Sequence, residues 1–493
     1  MASNKIRMSG MVSGMDTESL ITALTSAKKT KVDKAKGEQK KLGWKQDAWK
    51  DMNAKIYGLF SGKLSNMRLS TAYNKKVTTS SSSALSVVAG DGAVEGTMSA
   101  KVKSLAKAGY ITGAEIKAAD GSKVTQDTKV TDLGIEAGTK MGFTVAGEAK
   151  EIEITEDMTM YGLTTKLREA GLNANFDVDN KRMFISAKET GAANDFKFTS
   201  GDVALKKLGL AASTGASRIN GSDAELELNG ATFKSTSNTF TINGSTYTAN
   251  AVSEDTITLK TSLDTSNVYD TIKGFFKDYN DTINAMSKAY NAESASKYTM
   301  LTDEMKDVMS DKEVEEWEGK IKESLLRKDS SLYEIMSAMR DALSESIEID
   351  GKKYTLADFG IDKQSYTTAD PNERNAYYIA GDPDGALSGK TDKLNKAISE
   401  DPELVSKFFT ELSNKLYNAM NTKMASTDYS SAYKVYEDKK MQKDYDAYTK
   451  KIADLEAKLT EAEDRYYKKF AAMESMLSKL NDSSSSISAL FNM

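Results

Sequence analysis

The chain has 493 residues, a net charge of −5, 39% apolar and 28% charged residues, and neither cysteine nor histidine. That balance fits a folded chain of about three domains rather than a disordered one. It removes disulfides, thiol and Ser-His-Asp catalysis, imidazole bases and the usual zinc ligands, and no strongly basic domain stands out to hold nucleic acid.

In chain order, Gly10 and Gly14 make the first residues a poor helix, and Asp16 is then a good N-cap with Glu18 in the first turn. Residues 16 to 70 read as helix with weak points at Gly37, Gly43, Gly58 and Gly62. Leu20, Ile21, Leu24 and Ala27 form a first apolar face; Trp49, Met52, Ile56, Leu59, Phe60 and Leu64 form a second. Between Lys28 and Lys41 stand seven lysines against Asp33 and Glu38. They are either a solvated helix face or a basic collar for an acidic partner.

At about Tyr73 the spacing changes to alternation punctuated by Gly, Asn and Asp, and this continues to about Leu263. Asn229-Gly230 and Asn243-Gly244 each separate two alternating runs, which predicts type I′ hairpins. Residues 159–170 and 202–209 are the helices expected in this β-rich region. Leu133, Ile135, Phe143, Val145, Ile152, Ile154, Phe176, Phe184 and Ile185 are its expected inner core. The motif Asn-Gly-Ser at 220 and at 243 reads as a hairpin turn rather than a glycan site.

Helical texture returns at Asn267. Val268, Ile272, Phe275, Tyr279, Ile283, Met286 and Tyr290 fall at steps of four and three. Helices around 301–326 and 330–345 follow, then a hairpin over Ile347–Tyr354. All three prolines lie between 371 and 402, a loop-rich stretch, and Asp401-Pro402-Glu403 opens a helix through Phe408, Phe409, Leu412 and Leu416. From Tyr429 a last helix is expected, with Tyr433 and Tyr436 at its start. Its seam runs Met441, Tyr445, Tyr448, Ile452, Leu455, Leu459, Ala462, Tyr466, Phe470, Met473, Leu477, Leu480, with one extra step of four between Tyr466 and Phe470. A helix of roughly 50 residues would be about 75 Å long and needs partner helices.

The fold class expected is α+β multidomain, a long terminal coiled-coil or helical-bundle leg with inserted β-rich head domains. An N-terminal arm, 1–42, pairs with a C-terminal arm, 465–493. Residues 43–75 and 265–464 form the helical leg domain. Residues 76–118 and 218–264 form a β-rich head domain, with a second β-rich domain, 119–217, inserted in it. The interface residues expected to carry assembly are Leu20, Ile21, Leu24, Trp49, Met52, Ile56, Leu59, Ile452, Leu455, Leu459, Tyr466, Phe470, Met473, Leu477 and Leu480.

Chemistry-bearing motifs are sparse. No phosphate-binding loop with a following Lys-Ser/Thr occurs. Asp382-Pro383-Asp384-Gly385 opens like a calcium loop, but Ala386 and Leu387 stand where a ligand and a glycine are needed. Glu315-Glu316 reads as a solvated helix face, and the tyrosines at 429, 433 and 436 as packing rather than a ligand cage. No catalytic, cofactor or metal site is expected. An enzyme using carboxylates alone would need two of them facing each other across a cleft at about 5–10 Å, and nothing in the sequence points to such a pair.

The segments SGMVSGMDTESLITAL, KLGWKQDAWKDMNAKIYGL and YYKKFAAMESMLSKLNDSSSSISALF together resemble the flagellar filament cap family, hook-associated protein 2 (FliD family). Val130–Ile135, the run DAELELNGATFKSTSNTFTINGSTYT, Phe275–Asn280 and Leu356–Ile361 resemble its pattern between those ends. The family usually has a proline after its first short helix; Lys28-Lys29-Thr30-Lys31-Val32 stands there instead, so the resemblance does not carry a bend to this point.

The resemblance implies a non-enzymatic cap at the distal tip of the bacterial flagellum, guiding exported flagellin into place. The alternative within the same class is another axial protein, a hook–filament junction protein or flagellin. Implied partners are flagellin, further copies in a homo-oligomeric ring taken as a pentamer, an export chaperone at the C-terminal region, and the flagellar secretion apparatus. Heptads fix pairing within a leg and not the closure of a ring. No run of about 18 apolar residues is present to span a membrane, and no apolar core of a cleaved secretory signal is present at the N-terminus. The resemblance therefore implies export through the flagellar type III secretion channel without a cleaved signal peptide, to the extracellular filament tip.

The last expectation concerns both tips. Residues 1–15 and the Ser-rich 481–486 are expected to be adaptable, with Met8, Met11, Val12, Met15, Ile487, Leu490 and Phe491 as apolar contacts that order against a partner.

Overall fold

The computed structural model describes residues 13–90 and 92–491. The chain folds as two compact units, one of residues up to Tyr73 together with Thr265 onward, the other of Asn74–Asp264.

The first helix, α1 (Thr17–Ser61), runs unbroken through Gly37, Gly43 and Gly58 and through the lysine-rich stretch. Asp16 caps it by accepting from Ser19 N at 3.0 Å. Gly62 ends it, and the short α2 (Lys63–Met67) follows.

The β-rich unit holds β1 (Lys76–Ser80), β2 (Leu85–Val88), β3 (Gly96–Ser104), β4 (Tyr110–Thr112), β5 (Lys140–Val145) and β6 (Glu148–Glu153), then α3 (Met160–Glu169). Next come β7 (Leu172–Asp177), β8 (Arg182–Ala187), β9 (Phe196–Phe198), α4 (Asp202–Lys207), β10 (Ser217–Ile219) and β11 (Ala224–Leu228). β12 (Ala231–Ser235), β13 (Thr239–Ile242), β14 (Ser245–Ala249) and β15 (Ile257–Leu263) close it. Asn229 and Asn243 sit at φ 46° and the glycines after them are also at positive φ, as two-residue hairpins require.

One core lies in a five-stranded sheet, β1-β15-β3-β11-β12, and a three-stranded one, β13-β14-β2. Leu85, Val102, Leu226, Phe240, Tyr247 and Leu259 fill it. A second core lies in the sheets β10-β4-β8-β7 and β6-β5-β9 with both helices, around Phe143, Leu163, Phe196 and Leu208. The chain enters and leaves the second core through β4 and β10, which pair with each other from Thr112↔Ser217 to Tyr110↔Ile219. Its sheet is thus wider than residues 119–217.

Phe184 is only half-buried, because side chains alternate along β8 and Met183, Ile185 and Ala187 take the inner face. Asn220 is not a hairpin turn: it links β10 to β11, strands of different sheets.

The helical unit resumes with α5 (Thr265–Tyr290), α6 (Asp303–Asp307), α7 (Asp311–Glu323) and α8 (Ser330–Ser344). The expected helix over 301–326 is two helices, because Ser310 caps a new one with a reciprocal bond to Glu313. A hairpin, β16 (Ile347–Ile349) and β17 (Lys352–Tyr354), turns at Asp350-Gly351. The bridge β18 (Ile361–Asp362) with β19 (Tyr378–Ile379), then α9 (Lys393–Glu400) and α10 (Pro402–Lys423), lead to α11 (Asp438–Phe491). Ile56, Leu64, Ile272, Phe275, Tyr279, Ile335, Met339, Phe408, Phe409 and Leu416 are fully or nearly fully buried in the bundle. Each such side chain contributes about 1.5–3 kcal/mol by leaving water.

Two expectations about the last helix are corrected. It starts at Asp438, not Tyr429; residues 429–437 are a turn in which Tyr433 sits at φ 61°. It also continues helically through Ser483–Ser486 to Phe491, with Ser486 Oγ donating to Asp482 O at 2.8 Å. No Gly or Pro interrupts this stretch, and serine costs a helix only tenths of a kcal/mol, about 0.5. Met8, Met11 and Val12 lie outside the described residues, as do the side chains of Leu490 and Phe491.

Candidate assembly interface

The helical unit is organised by α1 lying antiparallel against α11. At the base, Asn53 is 3% exposed on α1 and grips the turn before α11 from both ends of its amide. Its Nδ2 donates to Tyr433 O at 3.2 Å, and its Oδ1 accepts from Val435 N at 3.0 Å. Trp49 stacks on Tyr436 with centroids 5.1 Å apart, Tyr57 meets Tyr433 edge-on at 5.6 Å, and Phe60 stacks on Tyr417 at 4.3 Å. These aromatic pairs add about 0.5–1.5 kcal/mol each beyond their burial.

Higher up the pair, Gly43 leaves room for the Tyr445 ring, which lies 3.6 Å from where a Cβ would stand. Gln39 Nε2 donates to Thr449 Oγ1 at 2.6 Å, and Lys36 pairs with Glu456 at 2.7 Å. At the far end, Ser13 N donates to Glu474 at 3.3 Å. The partners step backwards along α11 as α1 advances, so one register holds from Ser13 to Trp49.

Of the fifteen interface residues read from the sequence, Ile21, Trp49, Met52, Ile56, Leu59 and Ile452 are buried. Leu455, Leu459, Tyr466, Phe470, Met473 and Leu477 are half-buried. Leu20, Leu24 and Leu480 are exposed, at 41, 51 and 63%. The seam of α1 is Thr17, Ile21, Thr25, Val32 and Ala35, all buried. Reading only large aliphatic residues misses it; Thr25 can be buried there because its hydroxyl donates to Ile21 O at 2.8 Å. The spacing 17, 21, 25, 32, 35 carried the signal.

Leu20 and Leu24 on α1, and Met476, Leu480 and Ile487 on α11, are exposed apolar side chains, those of each helix at helical spacing. A two-helix pair buries only one stripe of each helix, so this surplus is available to another protein.

Three of the seven lysines of the stretch are paired inside the unit. Lys29 pairs with Glu304, Lys36 with Glu456, Lys40 with Glu318 and the nearby Lys45 with Asp329. At the calcium-like loop, the Lys273 ammonium bonds Asp382 at 2.7 Å and Asp384 at 2.9 Å, and those bonds raise its pKa above the usual lysine range. Among the described residues no cluster of acidic side chains has metal-holding geometry, and no helix is long and apolar enough to cross a membrane. Glu315 and Glu316 are exposed.

Two family models match the chain. That for the C-terminus of flagellar hook-associated protein 2 covers residues 221–482, and that for its N-terminus covers residues 13–109. A flagellar hook-associated protein 2 of Halalkalibacterium halodurans is 25% identical over 449 residues, spanning 85% of this chain and 81% of that protein. The Escherichia coli protein of the same name is 25% identical over 410 residues, spanning 80% and 77%. The crystal structure of the D1-D2-D3 domains of the Escherichia coli flagellar cap protein FliD superposes with a TM-score of 0.48 at 20% identity, over 78% of this chain and 97% of that one. With its two ends and more than half its length matched by one family's models, the chain belongs to the flagellar hook-associated protein 2 family.

Proposed function

We infer that this protein caps the growing flagellar filament at its distal tip and guides flagellin subunits into place. The observation that carries this is the family match over both helical ends, residues 13–109 and 221–482. The geometry supports a mechanical role. A long helix pair, fixed at its base by Asn53 and an aromatic cluster, presents exposed apolar residues on both helices. Those residues suit the apolar faces of other terminal helices, and flagellin is the partner we assign to them.

The remaining assignments belong to the same reading. The protein works as a homo-oligomeric ring, and we keep a pentamer as the working number. It has no catalytic task. It leaves the cell through the flagellar secretion apparatus and acts outside, at the tip. An export chaperone covers the C-terminal part of α11, where Met476, Leu480 and Ile487 are exposed and need shielding before assembly. We assign residues 1–42 and 465–493 to the arm, 43–75 and 265–464 to the leg, and 76–118 with 218–264 and 119–217 to the head.

Deleting the gene tests the function. Cells should secrete flagellin into the medium and carry no full-length filaments, and purified protein added outside should restore growth. Normal filaments without the protein would defeat the reading.

A further inference from the structure

The segment between α5 and α8, residues 291–329, lies across the lysine-rich stretch of α1, anchored by the buried Leu301, Ile321, Leu325 and Leu326 and joined to it by ion pairs. Ile321 is the one buried residue of α7, and α6 has none. Three clefts flank the segment. One of about 610 Å³ lies against Lys41, Leu325 and Tyr448, one of about 500 Å³ against Lys34, Gly37 and Met300, and one of about 590 Å³ against Ala289 and Lys320. What spans the gaps is ionic. Glu318, its side chain 12% exposed, takes Lys40 at 2.8 Å and Lys306 at 2.7 Å. Glu304 takes Lys29, and Asp329 takes Lys45 at 2.9 Å. Lys40 and Lys322 each stand 4.8 Å from the centroid of the Trp44 ring.

The charges of the two elements are opposed. Residues 303–329 carry ten acidic and six basic side chains; residues 28–45 carry eight lysines and two acids. We propose that residues 291–329 are an acidic strap that masks the basic face of α1, and that an acidic protein surface displaces the strap to bind the same lysines. The strap's carboxylates occupy the places the partner's carboxylates would take, so release frees Lys29, Lys40 and Lys45 to join Lys34 and Lys41, which line the flanking clefts. The lysine ends of these pairs are part-exposed, so the pairs weaken as salt rises, with a screening length of about 10 Å at 0.1 M, while the apolar pin of Met300 against Gly37 sets how far the strap must lift.

Gly37 supplies the test. A Cβ there would stand 2.9 Å from Met300 Cβ, so Gly37→Ala strengthens α1 as a helix yet pries the strap off it. The chain has no cysteine, so Gly37→Cys with Met300→Cys makes a single lock; its Cβ atoms, 2.9 Å apart before any adjustment, reach the usual disulfide range of about 3.5–4.5 Å once the strap shifts slightly outward. The probe is poly-L-glutamate, followed by Trp fluorescence and by hydrogen exchange across the full chain. Binding should tighten several-fold in Gly37→Ala and in Glu318→Gln, and amides of 303–323 should exchange faster while those of 330–344 do not change. Oxidising the lock should weaken binding, and reduction should restore it. Equal binding by the oxidised and reduced lock overturns the masking, and equal strap exchange in Gly37→Ala and the parent overturns the displacement. An oligonucleotide of matched charge should bind less well than poly-L-glutamate; equal binding overturns the assignment to a protein surface. If the double variant does not fold, the Gly37→Ala comparison decides.

Discussion

Asn53 on α1 holds Val435 by a single buried hydrogen bond of 3.0 Å, and its other amide atom holds Tyr433 two residues earlier. The turn between α10 and α11 is therefore fixed to α1 before α11 begins, and the direction of the long helix is set at its base. Replacing Asn53 by Ala strands a buried N–H and a carbonyl, which costs about 2–4 kcal/mol for the pair. Asn53→Asp should cost as much, since a carboxylate cannot donate to Tyr433 O. Denaturant unfolding of the full chain would read both; a loss under about 1 kcal/mol for Asn53→Ala would refute the clamp.

Burial along α11 falls from its middle to its end, and the cost of a charge should fall with it. Ile452 is 9% exposed and Leu480 is 63% exposed. Ile452→Asp should destabilise the unit by several kcal/mol, roughly 2–4, whereas Leu480→Asp should stay within about 0.5. Leu459→Asp and Phe470→Asp, both half-buried, should lie between. Thermal unfolding of the four variants checks the order.

Tyr279 gives a prediction of opposite sign. It is fully buried between the bundle helices, and its hydroxyl has no hydrogen-bond partner. Tyr279→Phe removes an unsatisfied polar group and should raise stability by about 1 kcal/mol. A loss of stability on chemical denaturation would contradict this.

Alkaline pH should act on the same unit. Burial raises the phenol pKa of Tyr279 and of Tyr73, the latter against the smaller opposing effect of Ser413. Their folded values stand above the unfolded value of about 10, so the neutral forms stabilise the fold fully below pH 10. That contribution is lost as pH rises from 10 towards the folded values. The melting temperature should fall between about pH 10 and 11, and Tyr279→Phe should flatten the fall. Equal slopes for parent and variant would count against the burial argument.

Much of the fold was legible because periodicity reports burial. The steps of α5, the Asn-Gly turns and the Asp401-Pro402 start each have one local cause, and the structure has each where that cause puts it. Other features depended on what faces what. Tyr433 and Tyr436 fit a helical stripe but serve a turn, because Asn53 and Trp49 reach them from α1. Leu20 and Leu24 are apolar yet exposed, since Thr17, Ile21 and Thr25 already fill the seam. The role of Gly37 was illegible without Met300 beside it.

We propose that the exposed apolar residues of the terminal helix pair engage flagellin at the filament tip. Placing a photoreactive phenylalanine analogue at Leu24 and, separately, at Leu480 and irradiating cells with growing filaments would trap that contact. Adducts between this protein and flagellin should form from both positions. Filaments that grow normally while neither position yields a flagellin adduct would contradict it.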